Sequence, residues 1–179
     1  MTKSRSVIMG AALLLAGCGG APAGGNGSTA TAPGATGAIA SAFDAANACA
    51  ILPKEKVAQV TGLAVTDAAL SRVNPATAGT ASFSQCTYSL AGGGSIDFFA
   101  RQSPIDDNTP DAIQRTRQSV GANPVDVPGL GTAAFSVEAM HQLHVFIGGD
   151  KYIYFMSMHP PAGKPIGAVE QALARAVIG

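Results

Sequence analysis

The sequence is poor in charge. Lysine and arginine together number 11 in 179 residues, and aspartate and glutamate also number 11. No five consecutive residues carry charges of one sign. Proteins that bind nucleic acid or anionic membrane surfaces concentrate lysine and arginine in a patch or stripe, which is missing here. We therefore expect no nucleic-acid partner.

Motifs of the common enzyme classes are missing too. The sequence has no Gly-x-Ser-x-Gly nucleophile elbow, no His-Glu-x-x-His zinc motif and no phosphate-binding loop. A Ser–His–Asp triad assembled without a motif would have to use one of only three histidines. The sequence therefore predicts no catalytic residue, no enzyme activity and no cofactor.

One stretch matches a cofactor fingerprint by its letters alone. Gly129 to Ala134 fits the Gly-x-Gly-x-x-Ala pattern of dinucleotide-binding folds. That pattern needs a strand before it and a helix after it. Here Pro128 precedes it, and the residues from Phe135 onward alternate as a strand does. We interpret the stretch as a turn.

The N-terminus has a short apolar run. Residues 7–16 are apolar apart from Gly10 and follow Lys3 and Arg5, an order typical of export signals. Ten helical residues extend about 15 Å, half of a hydrocarbon core, so the run is too short to span a bilayer. It ends in Leu15-Ala16-Gly17-Cys18 instead of an Ala-x-Ala cleavage site.

This ending resembles the lipobox of bacterial lipoproteins, in which the cysteine thiol is lipidated and the chain is cut before it. The resemblance implies a signal peptide over 1–17 and acyl chains on Cys18, which would hold the protein stably on a membrane. In double-membrane bacteria, Asp after the cysteine usually retains a lipoprotein in the inner membrane. Gly19 therefore favours the periplasmic side of the outer membrane, if the cell has one. A plain signal peptide with an incidental cysteine is the alternative.

The next segment contains too little apolar surface to fold. Residues 19–41 are Gly, Ala, Pro, Asn, Ser and Thr except for Ile39, and such a composition cannot offset the entropy of ordering. The sequence predicts a flexible tether over 18–42, with a reach of roughly 26 Å. It also predicts a single extracytoplasmic domain over 43–179.

Cys49 and Cys86 remain once Cys18 is assigned to lipid. An exported compartment is oxidising, which favours a disulfide. Redox-active pairs have the spacing Cys-x-x-Cys, which these two do not. We predict a structural disulfide between them.

Turn residues and apolar alternation divide the domain into helices and strands. Helix-opening prolines lie at 53, 110 and 165, and glycine turns lie at 92–94 and 148–149. This recurrence predicts a helix-plus-three-strand unit used twice and closed by a final helix. The expected fold is α+β, with an antiparallel sheet and helices on one face. The predicted helices are 52–61, 109–120 and 165–177; the strands are 64–66 (followed by a loop to 79), 83–90, 96–100, 132–137, 143–147 and 152–158.

The last hairpin indicates what each sheet face presents. A three-residue loop at 148–150 would set Ile147 opposite Lys151 and Val145 opposite Ile153. Leu143, Val145, Ile153 and Phe155 would then face the helices. The other face is predicted to be a binding face, since aromatic and arginine side chains anchor partners; a solvated sheet face is the alternative. The predicted binding-face residues are Phe99, Arg101, His144, Phe146, Tyr152 and Tyr154, with Asp97 nearby.

Two metal sites are weaker hypotheses. Cu(I) prefers soft ligands, which Met156, Met158 and His159 could provide together with Met140 and His141 on the strand paired to them. Methionine is more often a packing residue of the protein interior. Asp106, Asp107, Asn108 and Asp111 could bind calcium, but acids before a helix also stabilise its N-terminus. We predict no metal.

Three short motifs resemble a class of small bacterial lipoproteins of unknown function, best known from actinobacteria, and the extracytoplasmic sensor domain of certain receptor kinases. The motifs are Cys49 to Leu52 before a helix ending at Gly62, Cys86-Thr87-Tyr88, and 127–135. The resemblance spans roughly Asn47 to the C-terminus. It implies a disulfide-linked α+β domain and adds no catalytic residue.

The sequence thus predicts a membrane-anchored lipoprotein whose domain binds an envelope protein or a small ligand without catalysis. The alternatives are a structural or accessory envelope lipoprotein without a ligand and, less favoured, a Cu(I)-binding protein.

Overall fold

The computed structural model describes residues 43–121, 123–159 and 164–179. The predicted signal peptide (1–17), the lipid on Cys18 and the whole of the predicted tether (18–42) lie outside these residues. Within the described ranges, no helix has both the length and the apolar character needed to cross a membrane.

The described residues form one antiparallel sheet of seven strands with four α-helices, so the predicted α+β fold is confirmed. The strands occur in the sheet in the order β1-β2-β3-β7-β6-β5-β4. In chain order the elements are α1 (Ala48–Ile51), α2 (Lys54–Thr61), β1 (Val65–Asn74), β2 (Ser82–Leu90), β3 (Ser95–Gln102), α3 (Pro110–Ser119), β4 (Val125–Asp126), β5 (Ala133–Val137), a 3₁₀ turn (Glu138–Met140), β6 (Gln142–Gly148), β7 (Lys151–Met158) and α4 (Ile166–Ile178).

The sheet consists of two three-stranded meanders, as the recurring pattern predicts. β1–β3 follow α2, β5–β7 follow α3, and α4 closes the chain. The meanders meet where β3 pairs with β7 along its whole length, from Ser95 opposite Met158 to Gln102 opposite Lys151. The two-residue strand β4 is an addition to the second unit.

One face of the sheet packs against α1, α2 and α4. Phe98 of β3 and Phe155 of β7 lie at its centre, fully buried and stacked with ring centroids 5.0 Å apart. Leu52, Val57 and Leu173 cover them from the helical side. The predicted inward residues of the last hairpin, Leu143, Val145, Ile153 and Phe155, all belong to this core.

Helix α3 lies on the opposite face, so the prediction that all helices share one face is wrong for α3. Ile113 and Val120 pack against a second apolar cluster of Phe135, Val137 and Phe146. These three side chains alternate with the core residues of β5 and β6 and therefore point the other way. Because their burial needs a cover of its own, α3 crosses that end of the sheet.

Strand β1 is longer than predicted and runs through the expected loop. It lies at one edge of the sheet, and its pairing with β2 has two bulges, one at Thr66 and one at Arg72–Val73. Arg72 takes a left-handed conformation with φ of 49°. The bulges interrupt the alternation of side chains, and most of the strand is exposed, so no apolar pattern marks it in the sequence.

The last hairpin keeps the predicted faces with a different turn. Val145 opposes Ile153 as expected, but Gly148 opposes Lys151, so the predicted pairing of Ile147 with Lys151 is wrong. The turn therefore has two residues, Gly149 and Asp150. Ile147 is an extra residue in the ladder, and this bulge compensates for the shorter turn.

The N-terminal segment of the domain is fastened to β2. The disulfide between Cys49 of α1 and Cys86 of β2 is confirmed. Beside it, Ser84 Oγ accepts a hydrogen bond from the Ala48 N–H (2.8 Å) and donates one to the Ala45 carbonyl (2.7 Å). The buried Tyr88 hydroxyl donates to the Leu52 carbonyl. These bonds satisfy backbone groups that would otherwise be buried without partners.

Candidate functional site

The predicted binding-face residues do share one face of the sheet, the face that α3 partly covers. Phe99 and Arg101 lie on β3, His144 and Phe146 on β6, and Tyr152 and Tyr154 on β7. Their rings are neighbours: Phe99 and Tyr154 stack with centroids 5.0 Å apart, and Phe146 and Tyr152 also lie 5.0 Å apart. We call this set the aromatic face.

Two of the six residues of the aromatic face are buried. His144 is only 5% exposed and Phe146 only 3%, because Phe135 and α3 cover them; the Phe135 ring stacks on the His144 imidazole at 4.7 Å. These two predicted residues are therefore buried within the domain, and Phe146 also lines the pocket described below. The other four are half-buried.

His144 bonds within the protein. Burial lowers its pKa to about 4, so the imidazole is neutral at pH 7. Nε2 lies 3.2 Å from Gln142 Oε1, an acceptor, and Nδ1 lies 2.6 Å from the Tyr152 hydroxyl. The consistent tautomer donates from Nε2 and accepts the Tyr152 O–H at Nδ1. Burial raises the pKa of Tyr152, which keeps its phenol protonated. This pair is a structural element of the site.

A pocket opens where α3 passes over the aromatic face. Its volume is about 240 Å³. Three of the six predicted residues line it, namely Arg101, Phe146 and Tyr152. Asp107 and Asn108, which the sequence suggested only as calcium ligands, also line it, together with Arg115, which the sequence analysis missed. Arg115 could not be found from the sequence, because its place depends on the face that α3 crosses.

Asp107 has the most unusual environment in this pocket. Its Oδ2 forms an ion pair with the Arg101 guanidinium. Its Oδ1 is buried and has no hydrogen-bond partner among the residues that the structure describes. Buried carboxylate oxygens are almost always bonded. Asp107 therefore brings a buried, unbonded carboxylate oxygen to the wall of a pocket that Arg101 and Arg115 also line.

Comparison of the chain with protein-family models, curated proteins and solved structures gives no match. The lipoprotein resemblance stays a prediction, and the chemistry of this chain has to be inferred from its own geometry.

Asp106 and Asn108 order the loop before α3. Asp106 Oδ1 accepts the Asn108 N–H at 3.2 Å, and the Asn108 side chain donates to the Lys151 carbonyl at 2.7 Å. Thr109 caps α3 by accepting the Ala112 N–H at 3.3 Å. Within the described ranges, no three His, Cys, Asp or Glu side chains come together as a metal site, so no observation favours the calcium hypothesis.

Two of the candidate Cu(I) ligands lie just before β6, outside that strand. Met140 ends the 3₁₀ turn and His141 follows it in a left-handed conformation, so neither lies on the paired strand as predicted. Met156 Sδ accepts a hydrogen bond from Gln142 Nε2 at 3.5 Å. Met158 is 46% exposed at the end of β7.

The Gly129 to Ala134 stretch joins β4 to β5, and no helix follows it, which confirms the turn interpretation. Gly131 has φ of 58° and lies against the Phe146 carbonyl, where a side chain would overlap that oxygen. The glycines of this stretch are therefore required by the backbone of the turn.

Proposed function

We propose that this protein is a membrane-anchored lipoprotein whose extracytoplasmic domain binds a small ligand, without catalysis, in the pocket under α3. The anchor is inferred from the lipobox-like end of the N-terminal apolar run, with acyl chains on Cys18. The tether would hold the domain close to the membrane, on the periplasmic side of the outer membrane if the cell has one.

The unbonded Oδ1 of Asp107 supports binding in this pocket. A buried acceptor without a partner costs about 1–3 kcal/mol, and an N–H or O–H of a ligand would remove that cost. The neighbouring guanidinium groups of Arg101 and Arg115 suit a carboxylate. The ligand that fits has both a donor and an acid group, as α-amino acids and α-hydroxy acids do.

The size of the pocket restricts the ligand further. A volume of about 240 Å³ equals roughly eight water molecules at about 30 Å³ each. Ligands of about that number of heavy atoms fit, and drug-sized molecules do not. The rings of Phe146 and Tyr152 would contact the apolar part of the ligand.

The ligand prediction is tested by NMR titration of the full chain with glycine, L-alanine, L-serine and L-lactate. We expect saturable shifts of the α3 amide signals and a loss of affinity of at least tenfold in Arg115→Gln. In Asp107→Asn the affinity for the amino acids should fall selectively, because an amide N–H₂ replaces the acceptor. Arg175→Gln, at the exposed C-terminal end of α4, is the matched control and should bind normally. Unchanged affinity in both pocket variants, or no binding of any of the four compounds, would contradict the site and favour an accessory protein without a ligand.

The anchor makes a separate prediction. Cys18→Ser should move the protein from the membrane fraction to the soluble fraction, because the residue that accepts the acyl chains is gone. Mass spectrometry of the mature wild-type chain should find an N-terminal acylated cysteine. An unmodified N-terminus on the wild-type protein would refute the lipoprotein assignment and leave the pocket unaffected.

A further inference from the structure

A second cavity lies on the helical side of the sheet. It has a volume of about 420 Å³ and opens between the first half of α4 and the ends of β5 and β6. Its lining includes Glu170 and Gln171 of α4, Glu138 and His141 of the turn before β6, and the apolar residues Leu143 and Ile166. The pocket under α3 is on the other side of the sheet, so the two cavities are independent.

A buried glutamate such as Glu170 is unusual at a position that only packs a helix against a sheet. It is 2% exposed, beside the apolar α4 residues Val169 and Leu173. Ser157 Oγ donates a hydrogen bond to its Oε1 at 2.8 Å, and no other described side chain bonds the carboxyl group. Burial raises the pKa of Glu170 to about 7 against the opposing effect of the Ser157 hydrogen bonds. A leucine would fill this position without the cost of burying an acid.

The charges that face this cavity favour a cation. Glu170 lies in its wall and Glu138 at its exposed rim, and none of the described residues that line it is a lysine or an arginine. Among the described lining residues, the one other titratable side chain is His141. Lys164, which precedes α4, is engaged with the carbonyls of α2 residues Val60 and Thr61. A positively charged group in the cavity would pair with the buried carboxylate and donate hydrogen bonds to it.

The size of the cavity and its apolar wall favour an organic cation over a metal ion. Glu138, His141 and Glu170 line the same space, yet within the described ranges they do not form a metal-binding cluster. The volume corresponds to roughly 14 water molecules. Leu143 and Ile166 would contact the apolar body of an occupant.

We propose that this cavity binds a small primary amine, with the ammonium group on the Glu170 carboxylate and a short alkyl body against Leu143 and Ile166. Glu170 is the binding residue, and Ser157 holds its carboxyl group in place. Below the pKa of Glu170 the carboxyl group is neutral, so the amine binds more weakly there. Glu138 and His141 also line the cavity.

The test compares n-butylamine with its uncharged analogue n-butanol by NMR titration of the full-length protein. At pH 8 we expect saturable shifts of the Leu143 and Gly167 amides with the amine and affinity at least tenfold weaker for the alcohol. The affinity for the amine should fall at least tenfold at pH 5.5. Equal binding of the two compounds, or no saturable shift with millimolar amine, would overturn the proposal without use of a variant.

Two variants assign the effect to Glu170. Glu170→Gln keeps an oxygen for the Ser157 hydroxyl and should lose at least tenfold in amine affinity together with most of the pH dependence. Glu138→Gln, which removes the other acid at the exposed rim, should change affinity less than threefold. Wild-type affinity in Glu170→Gln would overturn the proposal. The amine has no acid group, so these results are distinguishable from those for the pocket under α3.

Discussion

Replacing Cys49 and Cys86 together by alanine is expected to lower the free energy of unfolding by about 4 kcal/mol. The two residues are 37 positions apart, and the bond between them removes the entropy of that open loop from the unfolded chain. It also joins the short helix α1 to β2, and a four-residue helix has little stability of its own.

Urea unfolding of the double variant against the oxidised wild type measures this effect. The double variant should still fold, since the bonds of Ser84 and Tyr88 to the α1 segment remain. Wild-type protein unfolded in reductant is the control and should refold to the lower stability of the variant. A loss below 1 kcal/mol would show that the loop is already restricted in the unfolded chain, and two reactive thiols in the native protein would refute the disulfide.

The stability of the wild-type domain is expected to respond weakly to pH between about 4.5 and 6.5. Two buried groups change the stability with pH in opposite directions, so that their effects largely cancel. Burial raises the pKa of Glu170 from 4.5 to about 7. The folded state therefore holds a proton that the unfolded state has released, and stability falls as pH rises through this range. Burial lowers the pKa of His144 from 6.5 to about 4. The unfolded state then holds the extra proton, and stability falls as pH decreases. Each effect amounts to about 3 kcal/mol.

Single variants should separate the two effects. In Glu170→Gln only the His144 effect remains, so stability should rise by about 3 kcal/mol between pH 4 and pH 6.5. In His144→Phe, which keeps a ring against Phe135, stability should fall by a similar amount between pH 4.5 and pH 7. Urea midpoints measured across this pH range provide the comparison. Profiles of the two variants that run parallel to the wild type would contradict the buried state of these groups.

The sequence predicts the parts of the fold that depend on local pattern. The hairpin of β2 and β3, the last hairpin and the cap of α3 follow from alternation, turn glycines and Thr109 before Pro110. All three are confirmed, except that the turn of the last hairpin is one residue shorter than predicted. The disulfide follows from compartment and spacing. The side of the sheet taken by α3 was not predictable in this way, because Ile113 and Val120 would suit either face and the choice depends on the distant cluster around Phe135.

For the candidate site, too, the sequence predicts what depends on local pattern and misses what depends on tertiary packing. Alternation places Arg101, Phe146 and Tyr152 on one face correctly, since side chains on a strand point to opposite faces in turn. It does not show that Phe146 is covered or that Arg115 comes near Arg101, because both depend on the tertiary position of α3. The aspartates before α3 resemble ordinary helix-capping residues in the sequence; only the packed structure shows that one oxygen of Asp107 is left without a partner.

The bulges of β1 affect whether copies of this protein can associate through their edge strands. An edge strand offers a row of free backbone groups to which another chain can add, and the lipid anchor proposed above would bring copies of this protein to high local density. The bulge at Arg72 and Val73, two exposed residues, interrupts the row of backbone groups near one end of the strand, and the bulge at Thr66 interrupts it near the other. A crowded layer of such domains would then resist edge-to-edge polymerisation and leave each copy free to act alone.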